Sequence, residues 1–381
     1  MEDIGVYVHI PFCESKCFYC DFNSVACNKL QDEKALIKKY FDSLIKEIIS
    51  AAEMLAAYNI STIYIGGGTP SYVSEKYIVE ILNILKSMCG NTDIEIAIEV
   101  NPGTCVKNKL NAYKEAGINR ISIGLQSGND KTLKQIGRIH TYKEFEETVL
   151  EVKKAGIDNF SVDYIFGLPN QTEDIVEEEI KEIIKLNPKH ISTYDLEVYE
   201  NTKLDFLIKE KYLEVPSEDE VVDIRHRGEE TLTKLGYNRY EISNYAKEGY
   251  ESKHNLAYWN QKKYIGFGAG ASSFYNGIRY TNVKNIKEYI EKIESNQTIS
   301  VVDEQMDLLD MIREYAVLRL RLKEGIDLNI FKARFKKDFL DMFKTEVESL
   351  VEKGLLIHEK NNIFLSERGK DLANIVWQEF I

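Results

Sequence analysis

At 381 residues the chain is longer than a single hydrophobic core usually grows, so one large and one small domain are expected. With 44% hydrophobic and 11% aromatic residues it can bury a sizeable core and is not a disordered chain. The formal charge, 49 Lys and Arg minus 62 Asp and Glu or −13, repels nucleic-acid backbones and anionic membrane surfaces, and no apolar run of about 18 residues is present to span a bilayer.

Between residue 5 and about residue 197, short β-rich runs alternate with longer helical stretches. Six strands are predicted: GVYVHI (5–10), TIYIG (62–66), DIEIAIEV (93–100), NRISIGL (119–125), NFSVDYIF (159–166) and HISTYDLEV (190–198). Such alternation builds βα units on a parallel sheet, so the fold class is α/β with a curved, barrel-like sheet. Helix starts are marked by capping-box spacings, Thr141 with Glu144 and Ser217 with Glu220. Ligands of such sheets bind where βα loops converge, at the carboxyl ends of the strands.

The barrel is expected over residues 1–236. A connecting region, 237–325, is aromatic and Gly-rich and ends in a helical block from about 303 to 323. Residues 326–381 then read helix, helix, wing, helix, a winged-helix-like module. Its nine Lys or Arg against ten Asp or Glu give no basic footprint, so a protein-facing or structural role is expected and no nucleic-acid partner.

The stretch HIPFCESKCFYCDF (9–22) sets Cys13, Cys17 and Cys20 in one loop directly after the first strand. The acidic opening MEDIGVYV has no apolar leader character, so a cytoplasmic, reducing location is expected, where clustered thiols serve metal or redox chemistry in preference to disulfides. Three readings stay open on spacing alone. His9 completes a Cys3His zinc set, CFYC acts as a dithiol pair, or three thiolates hold an iron–sulfur cluster whose fourth iron is left for an exogenous ligand. YIGGGTP (64–70) follows a strand, and Gly66, Gly67 and Gly68 let backbone approach a ligand closely. Cys89 and Cys105 read as buried thiols and Cys27 as outside the ligand set.

In order along the chain, YVHIPFCESKCFYCDF, GGGTP, EVNPGT, SIGLQSGND, QIGRIHT and VDYIFGLPNQT resemble the radical S-adenosylmethionine superfamily. More narrowly they resemble the oxygen-independent coproporphyrinogen III oxidases and their relatives. The resemblance implies a partial (β/α)6 TIM-like barrel of the radical SAM type with a C-terminal helical domain. It implies a 4Fe–4S cluster on Cys13, Cys17 and Cys20, with Tyr7 and Tyr19 beside the cluster or bound cofactor. Gly67, Gly68 and Thr69 then line the methionine end of S-adenosylmethionine, Glu99 and Gln126 its middle, and Arg138 and Asp163 the remainder.

Two features separate the chain from the oxidases. Phe22 stands where they carry a further cysteine, and their longer N-terminal segment has no counterpart before residue 5. HNLAYW (254–259) matches instead the HNxxYW motif of the radical S-adenosylmethionine haem chaperones of the HemW type. That resemblance implies haem as cargo, His254 as its axial ligand, haem-accepting proteins such as respiratory-chain enzymes as partners, and a flavodoxin or ferredoxin as electron donor. An imidazole suits haem iron, and Tyr258 and Trp259 offer flat apolar surface to a macrocycle. In GAGASSF, Ser272 stands where related sequences often show a histidine, so no ligand is expected there.

Overall fold

The computed structural model describes residues 1–30, 32–90, 94–105 and 107–381. Six parallel strands, Glu2–Ile10, Tyr58–Gly67, Glu95–Val100, Arg120–Gln126, Phe160–Phe166 and His190–Asp195, pair in chain order. Each overlaps one of the six runs read from the sequence; Asp93, the expected start of the third, lies outside the described residues.

Period-two alternation explains both the sheet and its interior. One set of positions, including Val6, Val8, Ile63, Ile65, Ile98, Ile121 and Val162, is buried against the surrounding helices and forms the main core. The alternate set, Tyr64, Ala97, Glu99, Ser122, Ser161, Asp163 and Ser192, is small or polar and lines an internal cavity. Parallel register places these inward residues side by side, Glu99 opposite Ser122, and Asp163 between Gly124 and Ser192. The helices begin as their sequences indicate: both Thr141 with Glu144 and Ser217 with Glu220 form complete capping boxes.

The Gly-rich segment is more regular than its composition suggests. Tyr264–Phe267 pairs in parallel with the first strand, and Ser272–Tyr275, Ile278–Asn282 and Ser300–Gln305 follow it antiparallel, while Asn244–Ala246 and Asn238–Glu241 extend the sheet beyond the sixth strand. Residues 303–305, expected as helix, therefore belong to an edge strand. The helix starts only at Leu308, because Asp307 caps it by accepting from Leu309 N and Asp310 N.

A second core gathers Tyr315, Phe331, Phe335, Phe339, Phe343 and Phe380 beneath a small three-stranded sheet. SERGKDLANIVWQ forms two short helices, Glu367–Asp371 and Ala373–Gln378, broken at Leu372. No helix among the described residues is long and apolar enough to cross a membrane.

Candidate functional site

The first strand ends at Ile10 and delivers the chain into the cysteine loop, whose base is a two-residue parallel bridge of Phe12–Cys13 with Val25–Ala26. The loop is pinned on both flanks. Phe18 N donates to Ile136 O at 2.9 Å, and Leu204 N to Phe18 O at 2.9 Å. Asn23 Nδ2 donates to Ala269 O at 2.9 Å. His9 helps to pin it as well, since its Nε2 donates to Asn23 O at 2.8 Å, which leaves Nδ1 to accept from the Tyr7 hydroxyl at 3.0 Å. Both ring nitrogens are engaged, and the Cys3His zinc set loses its fourth ligand.

Cys13, Cys17 and Cys20 stand on one wall of a cavity of about 380 Å³. Burial pushes the Cys13 and Cys20 thiols up, so they ionise on ligation and not before. Thr69 Oγ1 donates to Cys13 Sγ at 3.5 Å and Arg138 Nη1 to Cys17 Sγ at 3.7 Å. Arg138 is itself held by Gly124 O at 2.6 Å and Asn101 Oδ1 at 3.1 Å, and Asn101 Nδ2 reaches Thr69 Oγ1 at 2.9 Å. A polar chain thus runs from the fourth strand to the first cysteine.

Opposite lie two carboxylates. Glu99 accepts from Tyr64 OH at 2.9 Å and Gly67 N at 3.1 Å, and burial, with Asp163 nearby, pushes its pKa up to about 7. Asp163 accepts from Ser122 Oγ at 3.0 Å and is also raised by burial. Gln126 takes φ 77° at a register shift, a left-handed backbone that non-glycine residues seldom adopt, and lines the same cavity. The turn that follows is held from behind by Glu179, which accepts from Gly128 N at 2.8 Å and Tyr164 OH at 2.7 Å.

Of the sequence-predicted residues, Cys13, Cys17, Cys20, Tyr19, Gly67, Gly68, Thr69, Glu99, Gln126, Arg138 and Asp163 all line this cavity. Sequence reasoning missed Tyr64, Asn101 and Glu179. The first sits at an inward strand position, where alternation alone would have found it. The donor set suits an iron–sulfur cluster with a zwitterionic sulfonium cofactor beside it: three thiols together, a close glycine wall, carboxylates for cationic groups and a guanidinium for an anionic one.

Tyr7 and His254 fall elsewhere. Tyr7 lines a second, lateral groove of about 530 Å³, with Phe22, Tyr258, Trp259, Tyr264, Arg279 and Lys284. His254 lines neither. It is 2% exposed and stacks on Tyr64 with ring centroids 5.2 Å apart. Its Nδ1 meets Thr62 Oγ1 at 2.7 Å and its Nε2 the Tyr258 hydroxyl at 2.8 Å. Burial pulls its pKa down to about 3, so the ring is neutral. The cause of this placement is the short helix Lys253–Trp259, whose first amides are held by Glu95: His254 N at 3.0 Å and Lys253 N at 3.3 Å. His254, expected as a haem ligand, is thus a buried imidazole with both ring nitrogens hydrogen-bonded. Trp259 packs under Arg321, 4.2 Å from its ring centroid, and Trp377 packs against the same guanidinium at 5.2 Å.

A family model of the radical SAM superfamily matches residues 7–183, and one of the HemN C-terminal domain matches residues 306–372. The heme chaperone HemW of Lactococcus lactis is 34% identical over 99% of this chain and 97% of its own length. The Bacillus subtilis heme chaperone HemW is 33% identical over 99% of each. That of Escherichia coli is 32% identical over 100% of this chain and 99% of its own. The solved structure of coproporphyrinogen III oxidase (HemN) from Escherichia coli, a radical SAM enzyme, superposes with a TM-score of 0.86 over 100% of this chain and 90% of its own, at 23% identity, a likeness of fold. A third of all positions shared from end to end, on top of the thiol loop and its cavity, decides the matter: the chain belongs to the HemW family of the radical SAM superfamily.

Proposed function

We propose that this protein holds a 4Fe–4S cluster on Cys13, Cys17 and Cys20, binds S-adenosylmethionine in the adjoining cavity, and carries haem to acceptor proteins in the cytoplasm. The observation that supports it is the gathering of three thiols, Gly67, Gly68, Glu99, Arg138 and Asp163 around one cavity at the carboxyl ends of the strands. A cluster held there would supply the one electron that reductive cleavage of the cofactor's sulfonium bond needs, with a donor such as a flavodoxin or ferredoxin to reduce it. The chain's own residues bind and orient: Glu99 and Asp163 face cationic groups, Arg138 an anionic one, and Thr69 and Arg138 donate to the thiolates.

Haem carriage is favoured over decarboxylation of a porphyrinogen because the chain is about a third identical, from end to end, to curated haem chaperones and carries a second groove, lined by Tyr258 and Trp259, outside the thiol cavity. Phe22, 70% exposed at the rim, also stands where the oxidases have a thiol. Anaerobic reconstitution tests the reading. Expected are about four irons and four sulfides per chain, saturable haem binding, and no product from coproporphyrinogen. Absence of haem binding, or decarboxylation coupled to cofactor cleavage, refutes it.

A further inference from the structure

We propose that haem iron is ligated by the Tyr258 phenolate in the lateral groove, with His254 as a positioning residue behind it; this rests on the haem-carrier reading above. The two residues lie four apart on one helix, so they share a face, and the Tyr258 hydroxyl lies 2.8 Å from His254 Nε2. Of the pair, Tyr258 lines the groove and His254 does not.

The groove suits the cargo. Trp259 and Tyr264 give flat apolar surface, Leu318 an aliphatic wall, and exposed Lys284 a cation for the carboxylates at the macrocycle edge. Arg279 is less free, since Glu314 and the Tyr264 hydroxyl already take its guanidinium.

Tyr7 also lines the groove and also bonds an imidazole, so the choice between the two phenols needs a reason. It lies in the second partner of each histidine. A phenolate on ferric iron is steadied by a donor, which requires hydrogen on the imidazole nitrogen facing it. His9 Nε2 faces the Asn23 carbonyl, an acceptor only, so its hydrogen stays there and Nδ1 has none to give. His254 Nδ1 faces the Thr62 hydroxyl, which donates or accepts equally well. When haem arrives, the Tyr258 O–H bond breaks, an iron–oxygen bond forms, and one proton leaves to solvent with no change in oxidation state. The neutral His254 ring ends with its hydrogen on Nε2, donating to the phenolate, and Nδ1 accepts from Thr62. No charge is placed on the buried imidazole.

The test is titration of ferric haem into the full chain, read by absorption and electron paramagnetic resonance. The wild type is expected to show a high-spin ferric signal with a phenolate charge-transfer band. Tyr258→Phe loses the band and binds at least about tenfold more weakly, and Tyr258→His replaces it with an imidazole-type spectrum. His254→Gln keeps the band but weakens binding by about 10–100-fold, the usual cost of losing a partner behind a ligand. Tyr7→Phe and Tyr264→Phe keep the band. An unchanged spectrum in both Tyr258 variants, or a histidine-type wild-type spectrum abolished in His254→Gln, overturns the assignment while leaving haem carriage intact. A wild type that binds no haem overturns both.

Discussion

Gly68→Ala is the sharpest test of how the thiol loop is built. Gly68 has no left-handed φ, so alanine can take its backbone conformation and only contact decides the outcome. A Cβ there would stand 2.9 Å from Phe12 O and 3.0 Å from both Phe12 N and Cys13 Sγ. None of these can retreat freely. Gly68 N donates to Ile10 O at 2.8 Å and Thr69 N to Phe12 O at 2.9 Å, which lock the two segments together. Phe12, fully buried, sits edge-on against Tyr40 with centroids 5.2 Å apart. One extra carbon in so close a contact costs about 1–3 kcal/mol; with about 2 cal/mol/K of unfolding entropy per residue a chain of this size melts roughly 1–1.5 °C lower per kcal/mol, a drop of a few degrees at most. The larger effect falls on Cys13, which the new methyl pushes away from Thr69. Thermal melting and iron content after anaerobic reconstitution are measured beside Gly90→Ala, where nothing among the described residues lies within 4 Å of the new carbon. Gly68→Ala is expected to melt slightly early and to load well under half the iron of Gly90→Ala. Equal melting and equal iron would refute the packing argument.

The raised Glu99 carboxyl makes the cofactor-free chain less stable as pH rises from about 4.5, where the unfolded chain releases this proton, to about 7, where the folded chain does. Denaturant midpoints between pH 5 and 8 should therefore fall for wild type relative to Glu99→Gln; a difference that grows the other way contradicts the assignment. Glu241, whose side chain is fully buried, has its carboxylate 3.6 Å from Arg321 Nη2, and Arg321→Leu strands it there. The expected loss is about 3–5 kcal/mol, largely restored in Arg321→Leu with Glu241→Gln. A double variant as unstable as the single one would show that the loss comes instead from the two indoles around Arg321.

Much of this was legible because a parallel barrel writes itself into sequence twice, as apolar alternation outward and small or polar alternation inward. The strands Glu95–Val100 and Phe160–Phe166 show it, with Glu99 at an inward position near the carboxyl end of the first and Asp163 at an inward position in the middle of the second. The thiol loop was legible because its chemistry is local. The orientation of His254 was not, since it is set by Glu95, 159 residues away, capping the helix that carries it. The strand Tyr264–Phe267 was hidden by Gly266, whose place in the alternation is left without a side chain because a Cβ there would collide with Ser272 O. Glu47 reads as one acid among several on its helix. Yet it accepts from Gly268 N, Asn282 and Tyr289 and ties the first long helix to that extension of the sheet.

The cavity is small for a definite reason. Inward residues of four strands, the first residue in three of them, converge on residues 250–254: Thr62 holds the His254 ring, Glu95 its amide, Arg120 donates to Tyr250 O at 2.9 Å, and His190 meets Tyr240, whose hydroxyl accepts from Ser252 N. The helix that follows is thereby drawn into the barrel and floors it, with Ser252 and Asn255 on the cavity side and Tyr258 and Trp259 on the groove side. An open barrel would offer one deep chamber in which a tetrapyrrole and a cofactor could share space. A floored one offers two separate sites on either side of a single short helix. On the proposed reading a carried macrocycle belongs beside the barrel's cavity, on the groove side of this helix, and His254, buried between Thr62 and Tyr258, forms part of the wall between.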